Sequence, residues 1–361
     1  MLDAFFDSLR GLLALDGTAI DTTFFRLHYK STVGLLLIFS LLSHSREYFG
    51  EPLDCHFTEN SLGSLNKYCA VQSTFVIEPS VKAKNSSTTV KDMMHPAPDE
   101  SREKRYYSYY QWVSVALLIQ ALFFYAPWYI WETLDKGRMA TLIADMAAPI
   151  LRKDVIIEKT QSLLDYVIMN MHKHNFYAYS YFACELLSLL NVVGHIILMN
   201  IFLGEGLQLY GAFVTAFNDR ANEDARDPME TVFPSVTKCT FRKYDGSGDL
   251  QTFNGFCILT QNSGNAKIYT FLWLWFHLVA VISVITVTYR MAVVFVPSFR
   301  LYMFRWSSPL NTSRDIEIVY RELCYGDWFV LRLVGITVNP IIYKTLISEL
   351  ASRLKVGELD A

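Results

Sequence analysis

The chain has 361 residues, 52% hydrophobic and only 19% charged, with a mean hydropathy of +0.21. A soluble domain carries about a quarter charged residues, so this composition speaks against one. The formal net charge of -3 offers a polyanion little attraction, and no nucleic-acid partner is expected.

The N-terminus, MLDAFFDSLRGLL, has acids where a secretory leader would have a basic n-region, so no cleavable signal is expected and the spans themselves must drive insertion. Within residues 2–15, Leu2, Phe5, Phe6, Leu9, Leu12 and Leu13 recur at three- and four-residue steps, while Asp3, Asp7 and Arg10 lie on the other side. That spacing predicts an amphipathic helix, broken at Gly17. By pattern alone it suits a helix lying on the membrane surface as well as any sharper role.

Residues 27–45 read as a first span. The apolar run itself, STVGLLLIFSLLS, is short for a membrane crossing, and extending it back to Leu27 requires Lys30 to snorkel to the interface. A polar segment, 46–105, holds Cys55, Cys69, the sequon Asn85-Ser86-Ser87 and the Pro-bearing stretch HPAPDE. The second span, 106–131, carries no charge from Trp112 to Ile130, and about 19 residues rising about 1.5 Å each cross a hydrocarbon core of roughly 30 Å. Tyr106, Tyr107, Tyr109, Tyr110 and Trp112 crowd its front edge, and Tyr125, Trp128, Tyr129 and Trp131 its rear, as amphipathic rings do at headgroup depth. Pro127 predicts a kink.

Residues 132–177 return to soluble character, with two or three helices broken near Pro149. His172 and His174 could suggest a metal, but with no further ligand nearby in sequence they read as a solvated basic helix end, and no metal is expected. The third span, 178–203, is polar for its kind: Glu185, Ser188, Asn191 (or Val192) and His195 share a face, which points to interhelical hydrogen bonding ahead of pore lining. A second polar segment, 204–267, holds Cys239 and Cys257, and TFRKYDGSGDLQTF places two strand-like arms around Asp245-Gly246-Ser247-Gly248, a hairpin signal. The fourth span, 268–296, opens on Tyr269, Trp273 and Trp275 as a second aromatic edge and closes at Arg290. The tail, 297–361, reads as polar, with a last helix near 340–354.

Four spans put both termini on one side. Lys and Arg do not choose the side, because the positive-inside rule fades over loops of about 60 residues. Cysteines do choose it: one pair falls in each of the two polar segments, together with the sequon, and disulfides and glycans belong to the oxidising side. Those segments are expected outside, with both termini and 132–177 cytoplasmic and Cys184 and Cys324 reduced. Four cysteines allow three pairings, which spacing cannot decide.

No HExxH or phosphate loop is present, the Gly246/Gly248 pair sits in a turn, and no cofactor or enzyme activity is expected. A secondary transporter would carry more spans and an inverted repeat. Two classes remain: an oligomeric channel whose outer segments dock, or an adhesion protein of claudin or tetraspanin type. The sizeable cytoplasmic segments favour the channel.

YYQWV, running Tyr109, Tyr110, Gln111, Trp112, Val113, resembles the signature pentapeptide of the innexins, the invertebrate gap-junction channel family. The likeness continues in FRLHYKSTV from Phe25, REYFGEPLDC ending at Cys55, YCAVQSTF from Tyr68, DPMETVFPSVTKCTFRKYDGSG from Asp227, KIYTFLWLWF from Lys267, GDWFVLRL and ISELASRL. Three positions depart from the family pattern: Ala70 replaces a Trp, Pro96-Ala97-Pro98 a Pro-Gly, and Leu259-Thr260 a Leu-Pro. The resemblance implies an all-α membrane protein of four transmembrane helices, with disulfide-linked extracellular loops containing short strands and a helical cytoplasmic dome. It implies Cys55 paired with Cys257 and Cys69 with Cys239. It implies a plasma-membrane hemichannel, octameric in better-known members, built from this chain alone or with other innexins and docking with one from a neighbouring cell; an undocked hemichannel is the alternative. The N-terminal helix (within 1–26) would fold into the pore, stacking rings of Asp3 and Asp7 partly offset by Arg10.

Overall fold

The computed structural model describes residues 22–49, 53–57, 65–77, 104–137, 139, 141, 153–203, 232–244 and 246–359. The amphipathic N-terminal stretch with Asp3, Asp7 and Arg10, the sequon at Asn85, the HPAPDE stretch and the expected break at Pro149 lie outside them.

The chain divides into two compact units, one made of residues 1–34, 122–192 and 278–361 and the other of 35–121 and 193–277. Each boundary falls inside a helix. α1 (Thr23–Arg26), a π-helical turn (Leu27–Ser31) and α2 (Thr32–Phe49) follow one another without interruption. A 3-10 turn (Tyr109–Trp112) leads into α4 (Val113–Asp135), after the short α3 (Leu65–Val71). α5 (Lys153–Met169) precedes α6 (Asn175–Phe202), and α7 (Thr260–Phe295) is the longest helix among the described residues. The tail folds as α8 (Pro297–Ser307), α9 (Ser313–Glu322), α10 (Tyr325–Thr337) and α11 (Pro340–Leu359).

Among the described residues three helices are long and apolar enough to cross a membrane: Tyr109–Asp135, Asn175–Phe202 and Thr260–Phe295. The first expected span lies within the helical run from Thr23 to Phe49 but is not among them, because α2 runs on through His44, Arg46 and Glu47, which dilute its apolar stretch.

The strand-bearing unit holds a five-stranded antiparallel sheet of β1 (Asp54–His56), β2 (Thr74–Ile77), β3 (Lys104–Tyr107), β4 (Val236–Tyr244) and β5 (Leu250–Ile258), in the order β1-β5-β4-β2-β3. β4 and β5 form a hairpin whose turn includes Gly248 at φ 87°, a conformation open to glycine at little cost. A core belongs to the helical unit and is built from α5 and the tail helices around Trp131, Leu163, Tyr181, Phe304, Trp328 and Phe329. The tail is thus no polar appendage. α9 shows why composition misled: Ile316 and Val319 are buried three residues apart while its charges, Asp315 in the first turn and Arg321 in the last, complement the helix dipole. α10 is buried on nearly every side, from Tyr325 to Leu331 without a break and again at Leu333 and Val334.

α7 also begins earlier than its apolar run. Tyr269 and Trp273, expected at an aromatic membrane edge, are therefore inside the protein, with Tyr269 against the rings of Phe202 and Phe233 at 6.3 and 5.8 Å.

Candidate functional site

The sheet interleaves two distant stretches of chain. β1, β2 and β3 come from the segment between α2 and α4, and the β4–β5 hairpin from the segment between α6 and α7. The hairpin is inserted between β1 and β2, so two seams join the segments. A disulfide crosses the β1–β5 seam, and a second ties the same two segments through α3. Cys55 stands opposite Cys257 in the β1–β5 register, Cα atoms 4.0 Å apart, and the two are bonded. Cys69 of α3 is bonded to Cys239 of β4, Cα atoms 5.9 Å apart. These links span 202 and 170 residues of sequence, and for the wider one the chain-entropy model gives an upper figure of about 5 kcal/mol. Around them, among the described residues, pack Leu53, Tyr110, Leu259 and partly buried Phe57, Tyr68, Ala70 and Tyr109. Gly255 belongs to this packing: a Cβ there would stand 2.5 Å from the Phe57 ring.

The YYQWV residues fasten this sheet to the head of α4. Tyr109 donates its hydroxyl hydrogen to the Val232 carbonyl at 2.7 Å, holding the lead-in to β4. Gln111 Nε2 donates to the carbonyls of Ala70 and Val71 at 2.7 and 3.1 Å, and Tyr110 donates to that of Gln72 at 3.4 Å. The last carbonyls of a helix have no partner of their own, and α3, which carries Cys69, receives its partners from this pentapeptide. Val113 is fully buried, whereas Trp112 and the neighbouring Tyr106 are exposed. Of the rings read as a membrane belt at this edge, Tyr107 and Tyr110 are buried and Tyr109 is committed to a protein carbonyl.

The helical unit is joined by buried polar groups. Glu185 of α6 and Arg290 of α7 form a bidentate pair, Nε to Oε2 at 2.7 Å and Nη2 to Oε1 at 3.0 Å, with side chains only 3% and 5% exposed. The guanidinium also lies over the rings of Tyr181 and Phe329, at 5.2 and 5.0 Å. His28 Nε2 contacts the Ser188 carbonyl at 2.9 Å, and Asn191 donates to the Phe123 carbonyl at 3.2 Å. The Ser188 hydroxyl bonds back to Cys184 of its own helix, and His195, in the other unit, is buried beside Phe276.

Asp327 organises a second joint, at the N-termini of α6 and α10. His174 Nδ1 donates to Oδ1 at 2.7 Å, and the backbone N–H groups of His172 and Cys324 donate to Oδ2 at 2.9 and 3.3 Å. Burial pushes the Asp327 carboxyl up, but these hydrogen bonds together outweigh it and hold the group below the usual aspartate range. Gly326 N–H donates to Asn175 Oδ1 at 2.8 Å, and a Cβ on Gly326 would lie 2.2 Å from the His174 carbonyl carbon. Only glycine permits so close an approach. His174 is therefore buried and bonded, not the solvated helix end its sequence suggested, because Asp327 and α10 arrive from 153 residues away. Two signals could have exposed this joint: Cys324 and Asp327 have capping-box spacing, and a carboxylate three residues into a helix commonly serves its N-terminus.

A family model described as Innexin matches residues 21–354. The chain is 42% identical over 358 residues to Innexin inx2 of Schistocerca americana, covering 98% of this chain and 99% of that one. It is 40% identical over 356 residues to Innexin inx2 of Drosophila melanogaster, covering 99% and 97%, and 38% identical over 355 residues to Innexin shaking-B of Drosophila melanogaster, covering 98% and 95%. With a family model over most of its length and relatives matched almost throughout, the chain belongs to the innexin family.

Proposed function

We propose that this chain, a gap-junction channel subunit by its family, assembles with identical or related chains around a central pore, about eight to a ring as in better-known innexins. The assembly docks with one from a neighbouring cell and passes ions and small molecules. The observation that carries docking is the interleaved sheet whose two contributing segments are tied by two disulfides. A docking surface must be ordered before contact, since every loop ordered on association subtracts from affinity. Disulfides persist on the oxidising side, which favours an extracellular sheet and a cytoplasmic location for both termini and the free Cys324. Four crossings are supported by the apolar run 31–43 inside the helical stretch Thr23–Phe49, together with the three long apolar helices.

Paired cells expressing only this protein test the reading. A small dye injected into one cell should appear in the other. Dye uptake from the medium without transfer would replace docking by an undocked hemichannel. The amphipathic N-terminal stretch supports a pore-lining role for Asp3 and Asp7, offset by Arg10. In the Asp3→Asn/Asp7→Asn variant, cation over anion permeability should fall, and an unchanged reversal potential under a salt gradient would return that stretch to the membrane surface.

A further inference from the structure

The joint around Asp327 contains a group that neither the channel reading nor the fold requires. His172, two residues before the buried His174, has a left-handed backbone, φ 67°, and its side chain is 58% exposed. Its Nδ1 stands 3.1 Å from Cys324 Sγ and 3.8 Å from Asp327 Oδ2, and His172, Cys324 and Asp327 each bring one ligand atom within 4.8 Å of the other two. Cys324 is a free thiol of intermediate exposure.

We propose that His172 Nδ1, Cys324 Sγ and Asp327 Oδ2 form a binding site for a zinc-class divalent transition metal, with water as the fourth ligand. The donor set is the first reason. Sulfur and imidazole together suit Zn²⁺ or Co²⁺ and not Mg²⁺ or Ca²⁺, which take oxygen. Geometry is the second. Tetrahedral bonds of about 2.0–2.3 Å put neighbouring ligand atoms about 3.3–3.6 Å apart, and the distances from His172 Nδ1, 3.1 and 3.8 Å, bracket that spacing. Charge is the third: a thiolate and a carboxylate neutralise the dication at a largely buried carboxylate. Outer partners are the fourth. Metal-binding carboxylates are commonly held by a further hydrogen bond, and Asp327 Oδ1 accepts one from His174 at 2.7 Å. The metal would displace the longer of the two backbone bonds to Oδ2, that from Cys324 at 3.3 Å. The thiol proton leaves to solvent on binding, and no redox step is involved. Binding would link the turn before α6 to the start of α10, a metal clip between stretches more than 150 residues apart in sequence.

The test uses the full-length protein in detergent or nanodiscs, with Co²⁺ as the probe. Wild type should bind one Co²⁺ per subunit with a thiolate-to-cobalt charge-transfer band. Cys324→Ser should lose the band, Cys184→Ser should keep it, and His172→Gln, altering an exposed side chain, should bind about a hundred-fold more weakly or worse. Independently, Zn²⁺ should slow alkylation of Cys324, read by mass spectrometry, at least about ten-fold in wild type and not in His172→Gln. A band that survives Cys324→Ser, no band in wild type, or alkylation of Cys324 unchanged by Zn²⁺ would overturn the site.

Discussion

The two units make their long-range joints by different means. In the strand-bearing unit the short strands of the sheet and the cluster packed around the cysteines are tied by two covalent links, Cys55–Cys257 across the β1–β5 seam and Cys69–Cys239 from α3 to β4. In the helical unit the joints are non-covalent: an extensive apolar core, the Glu185–Arg290 pair, and helix N-termini brought together by Gly326 and Asp327. The difference follows from the surface available to bury. A nine-residue hairpin strand with its outer end exposed has little apolar area to offer, and cross-links stand in for a core where a core is small. α10, buried nearly all round, needs no such link.

Reduction should break the comparison most sharply. Cys257→Ser should remove up to about 5 kcal/mol from the strand-bearing unit alone, and a reductant on the wild type, which opens both links, should remove more. Hydrogen exchange should then accelerate across 236–258 while 325–337 keeps its protection. Equal loosening of both stretches would show that the units do not hold together independently.

In the helical unit the largest single loss should come from breaking the buried ion pair. Glu185→Leu or Arg290→Met strands an unpaired partner and should cost about 3–5 kcal/mol, whereas Glu185→Leu with Arg290→Met should recover much of it. Thermal unfolding of the purified protein measures the cycle, and purely additive losses would contradict a coupled pair.

Two of the crowded glycines, Gly326 and Gly255, sharpen the contrast between rigid and yielding neighbours. A Cβ at Gly326 meets backbone of His174 and Asn175, while one at Gly255 meets only the Phe57 ring. Gly326→Ala should therefore be the more damaging, at the upper end of the roughly 1–3 kcal/mol typical of overpacking, and Gly255→Ala the milder as the ring turns aside. The same unfolding assay ranks them.

Tyr109→Phe removes the donor to the Val232 carbonyl, and a loss of about 1 kcal/mol is expected, read as faster exchange in β4 with the disulfides intact. The smallest effect concerns pH. Because the folded Asp327 carboxyl titrates below its unfolded value of about 3.9, its contribution is present above that value and is lost as pH falls through the folded one. Protection of the α10 start should stay flat from neutral pH down to about 4 and fall only below it; loss already near pH 6 would assign the joint to a different titrating group.

The sequence by itself determined the three apolar helices, the hairpin around residues 245–248 and the segments that hold the paired cysteines, because hydropathy and turn chemistry act between near neighbours in the chain. Helix ends and the fate of aromatic rings were less legible. Tyr269 and Tyr109 look alike at a membrane edge or in a protein joint until Phe202, Phe233 and Val232 are beside them. Spacing left three cysteine pairings open, and the family resemblance implied the one that the register displays by setting Cys55 opposite Cys257. Only the tertiary structure decided that Glu185 meets Arg290 across 105 residues, and that His172, His174 and Cys324 converge on Asp327. A partner so distant leaves no periodic mark in the sequence, and a buried charge or an exposed one is written with the same letter.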